Sequence, residues 1–202
     1  MSSASRSVAS LLNDLCRRPL RVAAASTRDG RVMFGQCLSS GVDGAALEIA
    51  EKRLQAEFPA PLKQLFLHAD GQLQDTPGIL VVPKNHPLTF LSLKRSVDLA
   101  LYWRDQADNP VHRKWWQRAG YDPAWLPIGF APKINVALCV SMRVGRIIRF
   151  TTPDAQISHT SVPVQHLAET LVDYLIDLDN HMCGARQPFI IAPRASNPCA
   201  GL

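Results

Sequence analysis

The sequence predicts an α+β domain in which helices flank a central antiparallel sheet. Residues 47–58 and 62–69 carry apolar side chains at spacings of three and four, which is typical of helices with one buried face. Residues 78–83 form a short apolar run bounded by glycine and proline, as a buried strand does. Residues 145–150 alternate like the return strand of a hairpin. Short strands between amphipathic helices favour a mixed, antiparallel fold.

Composition narrows the class of protein. With 202 residues, 47% of them hydrophobic and 19% charged, the chain has a globular composition and is long enough to fold without disulfide or metal cross-links. Five cysteines are an odd number without close pairing, which argues for a reducing compartment and against a disulfide framework or a zinc site. No apolar run approaches the roughly 20 residues of a membrane span. We therefore expect a cytoplasmic protein; a transit peptide in the Ser- and Arg-rich start is the alternative.

The N-terminal elements are a helix and a hairpin. Residues 5–18 place Val8, Leu11, Leu12 and Leu15 on one helical face. Residues 20–38 are predicted to be extended, with a turn at residues 28–30, because Asp-Gly between apolar runs is a hairpin signal.

Two helices meeting at a proline corner follow. Pro59 is expected to stop the first helix, and Pro61 to open the second. Gly71 is expected to end the second helix in a left-handed conformation.

The remaining elements are predicted from the same patterns. After the strand at 78–83 we expect a strand at 88–91 and then a helix at 92–107 that is capped by Ser92. Residues 109–121 are predicted to form either a short helix or a loop. A strand at 134–140, a return strand with Ile148 and Phe150 on one face, and the longest helix of the chain at 163–183 complete the prediction.

Two motifs resemble the SUKH superfamily of Smi/Knr-like domains. The first motif consists of Leu47, Glu51, Leu54, Phe58-Pro59, Leu62-Lys63, Leu65-Phe66 and Asp70-Gly71. It departs from the family pattern at three positions: Gln55 stands where glycine is usual, Leu62 where an aromatic residue is usual, and Asp70 where asparagine is usual. The second is Trp125-Leu126-Pro127-Ile128-Gly129, which in such domains precedes a strand; Val140-Ser141 stands where Leu-Asp is usual. The resemblance covers about residues 45–182. It implies a SUKH-like domain at 45–184, an N-terminal extension (1–44) packed on it, and a C-terminal tail (185–202).

The resemblance also implies a function. Bacterial SUKH-like proteins serve as immunity proteins that neutralise cognate toxins, and fungal relatives regulate cell-wall synthesis and signalling through protein contacts. We therefore expect a non-enzymatic protein that binds a toxin acting in the cytoplasm. The alternatives are a regulatory adaptor in a signalling complex and a basic nucleic-acid-binding module.

No catalytic pattern emerges from the residues themselves. Gly41 and Gly44 lack the spacing of a phosphate loop. Cys139 lies in an apolar strand, where cysteine is an inert small hydrophobe, so a pair with His159 is not favoured. His181 and Cys183 lie at the end of a helix, where their side chains are not expected to point in the same direction, so a metal site there is not favoured. Asp173, Asp177 and Asp179 are expected on the solvated outer face of the last helix. We expect no cofactor and no metal.

The candidate contact residues lie in the segment 109–121. Adjacent residues of a helix cannot both point inward, so one of Trp115 and Trp116 is expected at the surface, unless both pack beneath a loop; Trp103 and Trp125 are expected in the core. Trp and Arg are enriched at interface hot spots. A net charge of +5 makes an acidic partner surface the natural complement. The predicted partner-binding residues are His112, Arg113, Lys114, Trp115, Trp116 and Arg118, together with the sheet's face.

Overall fold

Helices and strands pack into one α+β arrangement. A computed structural model describes residues 7–20, 32–82, 86–153 and 164–183. The helices in these ranges are α1 (Val8–Cys16), α2 (Gly44–Leu54), α3 (Ala60–His68), α4 (Leu93–Asp108), α5 (Arg113–Arg118) and α6 (Leu171–Met182). The strands are β1 (Leu38–Ser40), β2 (Ala69–Gln72), β3 (Leu80–Val82), β4 (His86–Phe90), β5 (Trp125–Ala131), β6 (Val136–Ser141), β7 (Ile147–Thr151) and β8 (Val164–Ala168).

The larger sheet is an antiparallel meander. Strands β3 to β8 lie side by side in chain order, while β1 and β2 form a separate antiparallel pair. All six side chains of β6 are buried, and they alternate between the two faces of the sheet. One face meets the apolar sides of α1, α2, α3 and α6, and the other meets an aromatic cluster from α4 and α5. The predicted α+β class with a helix-flanked antiparallel sheet is confirmed.

Most of the predicted elements occur where the patterns placed them. The first helix is α1, whose four predicted inward residues are all buried. Ser92 caps α4, since its hydroxyl accepts the N–H of Arg95 at 3.3 Å. Ile148 and Phe150 lie on the same face of β7, in the aromatic cluster. Of the two alternatives for 109–121, the segment contains a short helix, α5.

The proline corner is built differently from the prediction. Helix α2 ends at Leu54 rather than at Pro59, because Gln55 takes a left-handed conformation with φ of 53°. The Glu51 carboxylate then accepts the N–H of Phe58 at 2.5 Å and an ion pair from Lys63 at 2.9 Å. Burial raises the pKa of Glu51, but these two partners outweigh it and bring the pKa below its usual value. Glu51, the acidic residue of the first motif, therefore stabilises the proline corner through its contacts with Phe58 and Lys63.

Gly71 has another role than the predicted one. Helix α3 ends at His68, and the chain runs directly into β2, where Gly71 has φ of 80°. A Cβ at Gly71 would lie 2.5 Å from the main-chain nitrogen of Ser92. The Asp70 carboxylate accepts the N–H of Leu93 at 2.6 Å. Asp70 and Gly71 of β2 therefore hold the start of α4 against this strand.

The predicted helix at 163–183 is wrong in its first half. Residues Val164–Ala168 form β8, and α6 begins only after Thr170, whose hydroxyl accepts the N–H of Asp173 at 3.1 Å. Val164 and Leu167 are three apart, a spacing typical of one helical face, but in β8 they lie on opposite faces of the sheet: Leu167 belongs to the larger cluster and Val164 packs against the aromatic one. The longest described helix is α4.

Asp179 is not on the outer face of α6. Its side chain is buried, and Arg18 at the end of α1 reaches its two carboxylate oxygens at 2.8 and 3.4 Å. Asp179 follows Leu178, so it borders the apolar stripe rather than opposing it. The ion pair joins α1 to α6, and both helices share the larger hydrophobic cluster.

Parts of the prediction fall outside the described residues. The hairpin turn at 28–30 and the tail at 185–202 are among them. Pro19 and Met33 form an antiparallel bridge, but Phe34–Cys37 is a 3-10 helix rather than a strand. The second motif itself forms most of β5, and it precedes β6, the strand that was predicted to follow it. The boundaries of the extension, domain and tail stay predictions.

Tyr174 closes the β3 edge of the sheet. Its buried hydroxyl donates to the carbonyl of Val81 at 2.9 Å and accepts the N–H of Val81 at 3.1 Å. Tyr174→Phe would remove both of these part-buried hydrogen bonds, each worth about 0.5–1.5 kcal/mol, so we expect a loss of about 1–3 kcal/mol in the free energy of unfolding. Urea denaturation measures it. Tyr102→Phe, on a side chain that is 56% exposed, should leave the midpoint unchanged; equal midpoints for all three proteins would contradict this role.

Candidate functional site

The candidate segment is a short helix held by two turns. Asn109 precedes a proline and takes an extended conformation, which ends α4. Its side-chain oxygen accepts the N–H of Val111 at 2.9 Å, and its carbonyl accepts that of His112 at 3.0 Å. Helix α5 is therefore folded back beside α4 within a few residues.

The far end of α5 is a Schellman cap. Gly120 has φ of 69° and donates to the carbonyl of Gln117 at 3.0 Å, while Tyr121 donates to that of Trp116 at 3.2 Å. The rings of Tyr121 and Trp116 then lie 4.9 Å apart, the hydrophobic contact that accompanies this cap. The cap directs Tyr121 back beneath α5.

The two adjacent tryptophans have opposite environments. Trp116 is 6% exposed and lies 6.0 Å from Trp103 and 6.1 Å from Phe150, between ring centroids. Trp103 and Trp125 are buried in the same cluster, as predicted. Trp115 is 44% exposed. Trp116, one of the predicted partner-binding residues, is therefore the anchor of α5 and not part of its surface.

The outer side of α5 combines apolar and cationic groups. The rings of His112 and Trp115 lie 5.4 Å apart, and Val111 beside them is 71% exposed. Arg113, Lys114 and Arg118 are exposed, and none forms an ion pair among the described residues. We call this surface the α5 patch; it consists of Val111, His112, Arg113, Lys114, Trp115 and Arg118.

The centre of the larger sheet is covered on both faces. Every residue of the central strand β6 is buried, and both sides of that strand belong to hydrophobic clusters. Strand β5 is likewise buried over its first five residues. Exposed residues of the sheet occur on other strands, at Pro87 of β4 and His166 of β8, whereas the segment around α5 presents a continuous exposed surface.

A small cavity lies beneath α5. It has a volume of about 280 Å³, and Arg104, Asp108, Arg113, Gln117 and Tyr121 line it together with Ala107, Trp116 and Pro123. Sequence reasoning missed Arg104 and Tyr121. The Gly120-Tyr121 pair after a helical stretch was a signal of the Schellman cap. Arg104 has no comparable local signal, because its neighbours there come from distant parts of the chain.

A wider groove runs from this cavity along the proline corner. Two further depressions of about 550 and 460 Å³ adjoin it in turn, the first sharing Arg104 and Pro123 with the cavity. Arg104 donates to the carbonyls of Leu54 at 2.8 Å and Pro123 at 2.9 Å. The Arg104 guanidinium thus connects Leu54 of the first motif to Pro123, which lies two residues before the second motif.

The residues considered for chemistry in the sequence lie apart from one another in the described structure or outside it. No group of three or more His, Cys, Asp or Glu side chains suited to a metal occurs in that part of the chain. Cys139 is fully buried in β6, the apolar strand in which it was predicted to lie, and burial raises the pKa of its thiol. His159 lies outside the described residues. No described helix has the length and apolar character needed to cross a membrane.

Comparison with known proteins places the chain in a family. No curated protein matches it. The model of the SMI1 / KNR4 family (SUKH-1) matches residues 41–177, which include both motifs and span two thirds of the sequence. The match runs from the loop before α2 to the middle of α6, so it contains the whole meander and the α5 patch. The chain therefore belongs to the SMI1 / KNR4 family (SUKH-1).

Proposed function

We propose that this protein is an immunity protein that neutralises a cognate toxin acting in the cytoplasm. SUKH domains are known for immunity-type roles, and the family is generally not catalytic. On this proposal the chain binds the toxin enzyme and blocks its active site or a required movement. It performs no reaction itself.

The observation that carries the proposal is the α5 patch. Trp115 is a large exposed aromatic side chain beside three cations without an ion-pair partner in the described part of the chain. Aromatic residues and arginine dominate the energetics of protein interfaces. Trp116 beneath the patch fixes α5 to the core, which lowers the entropy lost on binding.

Charge sets the kind of surface that the toxin presents. The α5 patch contributes Arg113, Lys114 and Arg118, and the whole chain carries a net charge of +5. An acidic surface on the toxin would speed association and orient the two proteins. A contact of this kind weakens as ionic strength rises.

The test begins with the reading frame that neighbours this gene. We expect its product to stop growth when it is produced in the cytoplasm, and co-production of this chain to restore growth. A tight one-to-one complex should then form from the purified proteins. A harmless neighbour, or toxicity that this chain leaves unchanged, would contradict the proposal.

A further inference from the structure

The α5 patch is smaller than the contact surface of a tight complex. It comprises six residues, whereas stable protein–protein interfaces bury about 800 Å² and roughly 20–30 residues on each side. A protein that binds the patch therefore also contacts the surface around it. Because interface cores fit closely in shape, the neighbouring depressions indicate where that contact continues.

A groove leads away from the patch. Arg113 belongs both to the patch and to the depression of about 280 Å³ beneath α5. That depression shares Arg104 and Pro123 with the next one, of about 550 Å³. The second shares Met142 and Arg143 with the third, of about 460 Å³. The lining is therefore continuous from α5 to the proline corner.

Two turns of the chain line the third depression. They are the proline corner, residues 57–62, and the tip of the β6–β7 hairpin, residues 142–145. Val140, Thr170 and Leu171 complete the lining, and of these Val140 and Leu171 are buried. We call this depression the hairpin groove.

The hairpin tip offers an apolar and a cationic side chain to solvent. Val144 is 63% exposed. The Arg143 side chain is 70% exposed, and the nearest carboxylate among the described residues is that of Asp122 at 3.8 Å. An exposed ion pair of that length contributes little, so the guanidinium is free to change its partner. Glu57, the acid that lines the hairpin groove, is itself paired with Lys63 at 3.7 Å.

The balance of charge along the whole groove is positive. Three arginines and two carboxylates line its depressions: Arg104, Arg113, Arg143, Asp108 and Glu57. The α5 patch adds further cations at one end. An acidic protein surface that is attracted to the patch is therefore attracted along the groove as well.

We propose that the hairpin groove receives an extended segment of the protein that binds the α5 patch, with an acidic side chain on Arg143 and an apolar side chain beside Val144. The planar guanidinium of Arg143 suits a carboxylate, which accepts two parallel hydrogen bonds from it. An apolar side chain on the segment removes Val144 from water. At about 460 Å³ the hairpin groove is within the roughly 300–1,000 Å³ of ligand sites, which is room for a piece of chain.

This inference rests on the proposed function, and it specifies where the rest of the contact lies and which chemistry it has. The probe is the capped pentapeptide Leu-Asp-Leu-Asp-Leu, with Leu-Asn-Leu-Asn-Leu as its uncharged counterpart. In a nuclear magnetic resonance titration of the full chain, we expect the amide signals of residues 57–60 and 142–145 to shift with the acidic peptide. Its affinity should exceed that of the uncharged peptide by roughly tenfold, the scale of one hydrogen bond to a charged group.

Four variants test the residues that carry the proposal. Arg143→Glu and Val144→Asp should each weaken binding of the acidic peptide by roughly tenfold or more. Arg95→Glu and Ile49→Asp make the same changes on exposed side chains of α4 and α2 that do not line the groove, and they should keep the wild-type affinity within about twofold. Because all four side chains are exposed, each variant should retain the circular dichroism spectrum of the wild type.

Three results would overturn the proposal. The first is the absence of shifts at residues 142–145, or shifts that are confined to the α5 patch. The second is an equal affinity for the two peptides. The third is a change of the same amide signals when the free chain is diluted, because a second copy of the chain would then occupy the hairpin groove.

Toxin binding separates this inference from the proposed function. If the chain neutralises its toxin, and Arg143→Glu and Val144→Asp leave the affinity for that toxin unchanged, the hairpin groove is refuted and the proposed function stands. Peptide binding that depends on Arg143 and Val144 in a chain that neutralises no toxin supports the hairpin groove and refutes the proposed function.

Discussion

Gly71→Ala is expected to destabilise the protein by about 3 kcal/mol or more, the sum of two penalties. A left-handed conformation costs a residue with a Cβ roughly 1–2 kcal/mol, and Gly71 has φ of 80°. The new methyl group would lie 2.5 Å from the main-chain nitrogen of Ser92 and 2.8 Å from the carbonyl carbon of Leu91. Because these are backbone atoms, the start of α4 has to move, and overpacking of this kind costs roughly 1–3 kcal/mol. Equilibrium urea unfolding measures the sum.

Gly44→Ala is the control for this substitution. Gly44 is the first residue of α2, and a Cβ there meets no atom within 4 Å. Alanine is a better helix former than glycine, so this variant should be as stable as the wild type or more so. If Gly71→Ala matched Gly44→Ala in its unfolding midpoint, the close approach of β2 and α4 would not exist in solution.

Trp116→Ala is expected to cost about 3–5 kcal/mol in the free energy of unfolding, as for other large aromatic residues removed from a core. Trp116 packs against Trp103, Tyr121 and Phe150, and it is the main apolar anchor of α5. In a domain of this size the loss corresponds to a fall of roughly 10 °C in Tm. Thermal unfolding followed by circular dichroism measures it.

Trp115→Ala should give the opposite pattern. Trp115 is 44% exposed and belongs to no buried cluster, so its removal should change stability by no more than about 0.5 kcal/mol. On the proposed function, however, it should abolish most of the toxin neutralisation. Equal losses of stability for the two variants would mean that the burial assigned to these neighbours is wrong.

The fold was predictable because the motif residues hold it together. Glu51, Lys63 and Phe58 lock the proline corner, and Asp70 with Gly71 joins β2 to α4. Contacts of this kind depend on residue type at fixed positions, which a sequence pattern detects. The prediction was wrong at residues 164–168, because the helix-like spacing of Val164 and Leu167 comes from a strand that is covered on both faces.

The candidate site was predictable only in part. The pair Trp115-Trp116 indicated one exposed aromatic residue, but which of the two depends on how α5 folds back onto Trp103. Arg104 and Tyr121 were not anticipated, since the cavity they line is formed by α4, α5 and the loop before β5. Tertiary packing decides such positions, and no local spacing encodes it.

The most direct test of the account is the affinity for the purified toxin of two charge-reversed chains. Lys114→Glu with Arg118→Glu changes the α5 patch; Lys52→Glu with Arg95→Glu changes two exposed cations of α2 and α4 by the same net charge. We expect the first pair to weaken binding at least about a hundredfold at low salt, and the second to leave it within about threefold. Equal affinities for the two chains would contradict binding through the α5 patch.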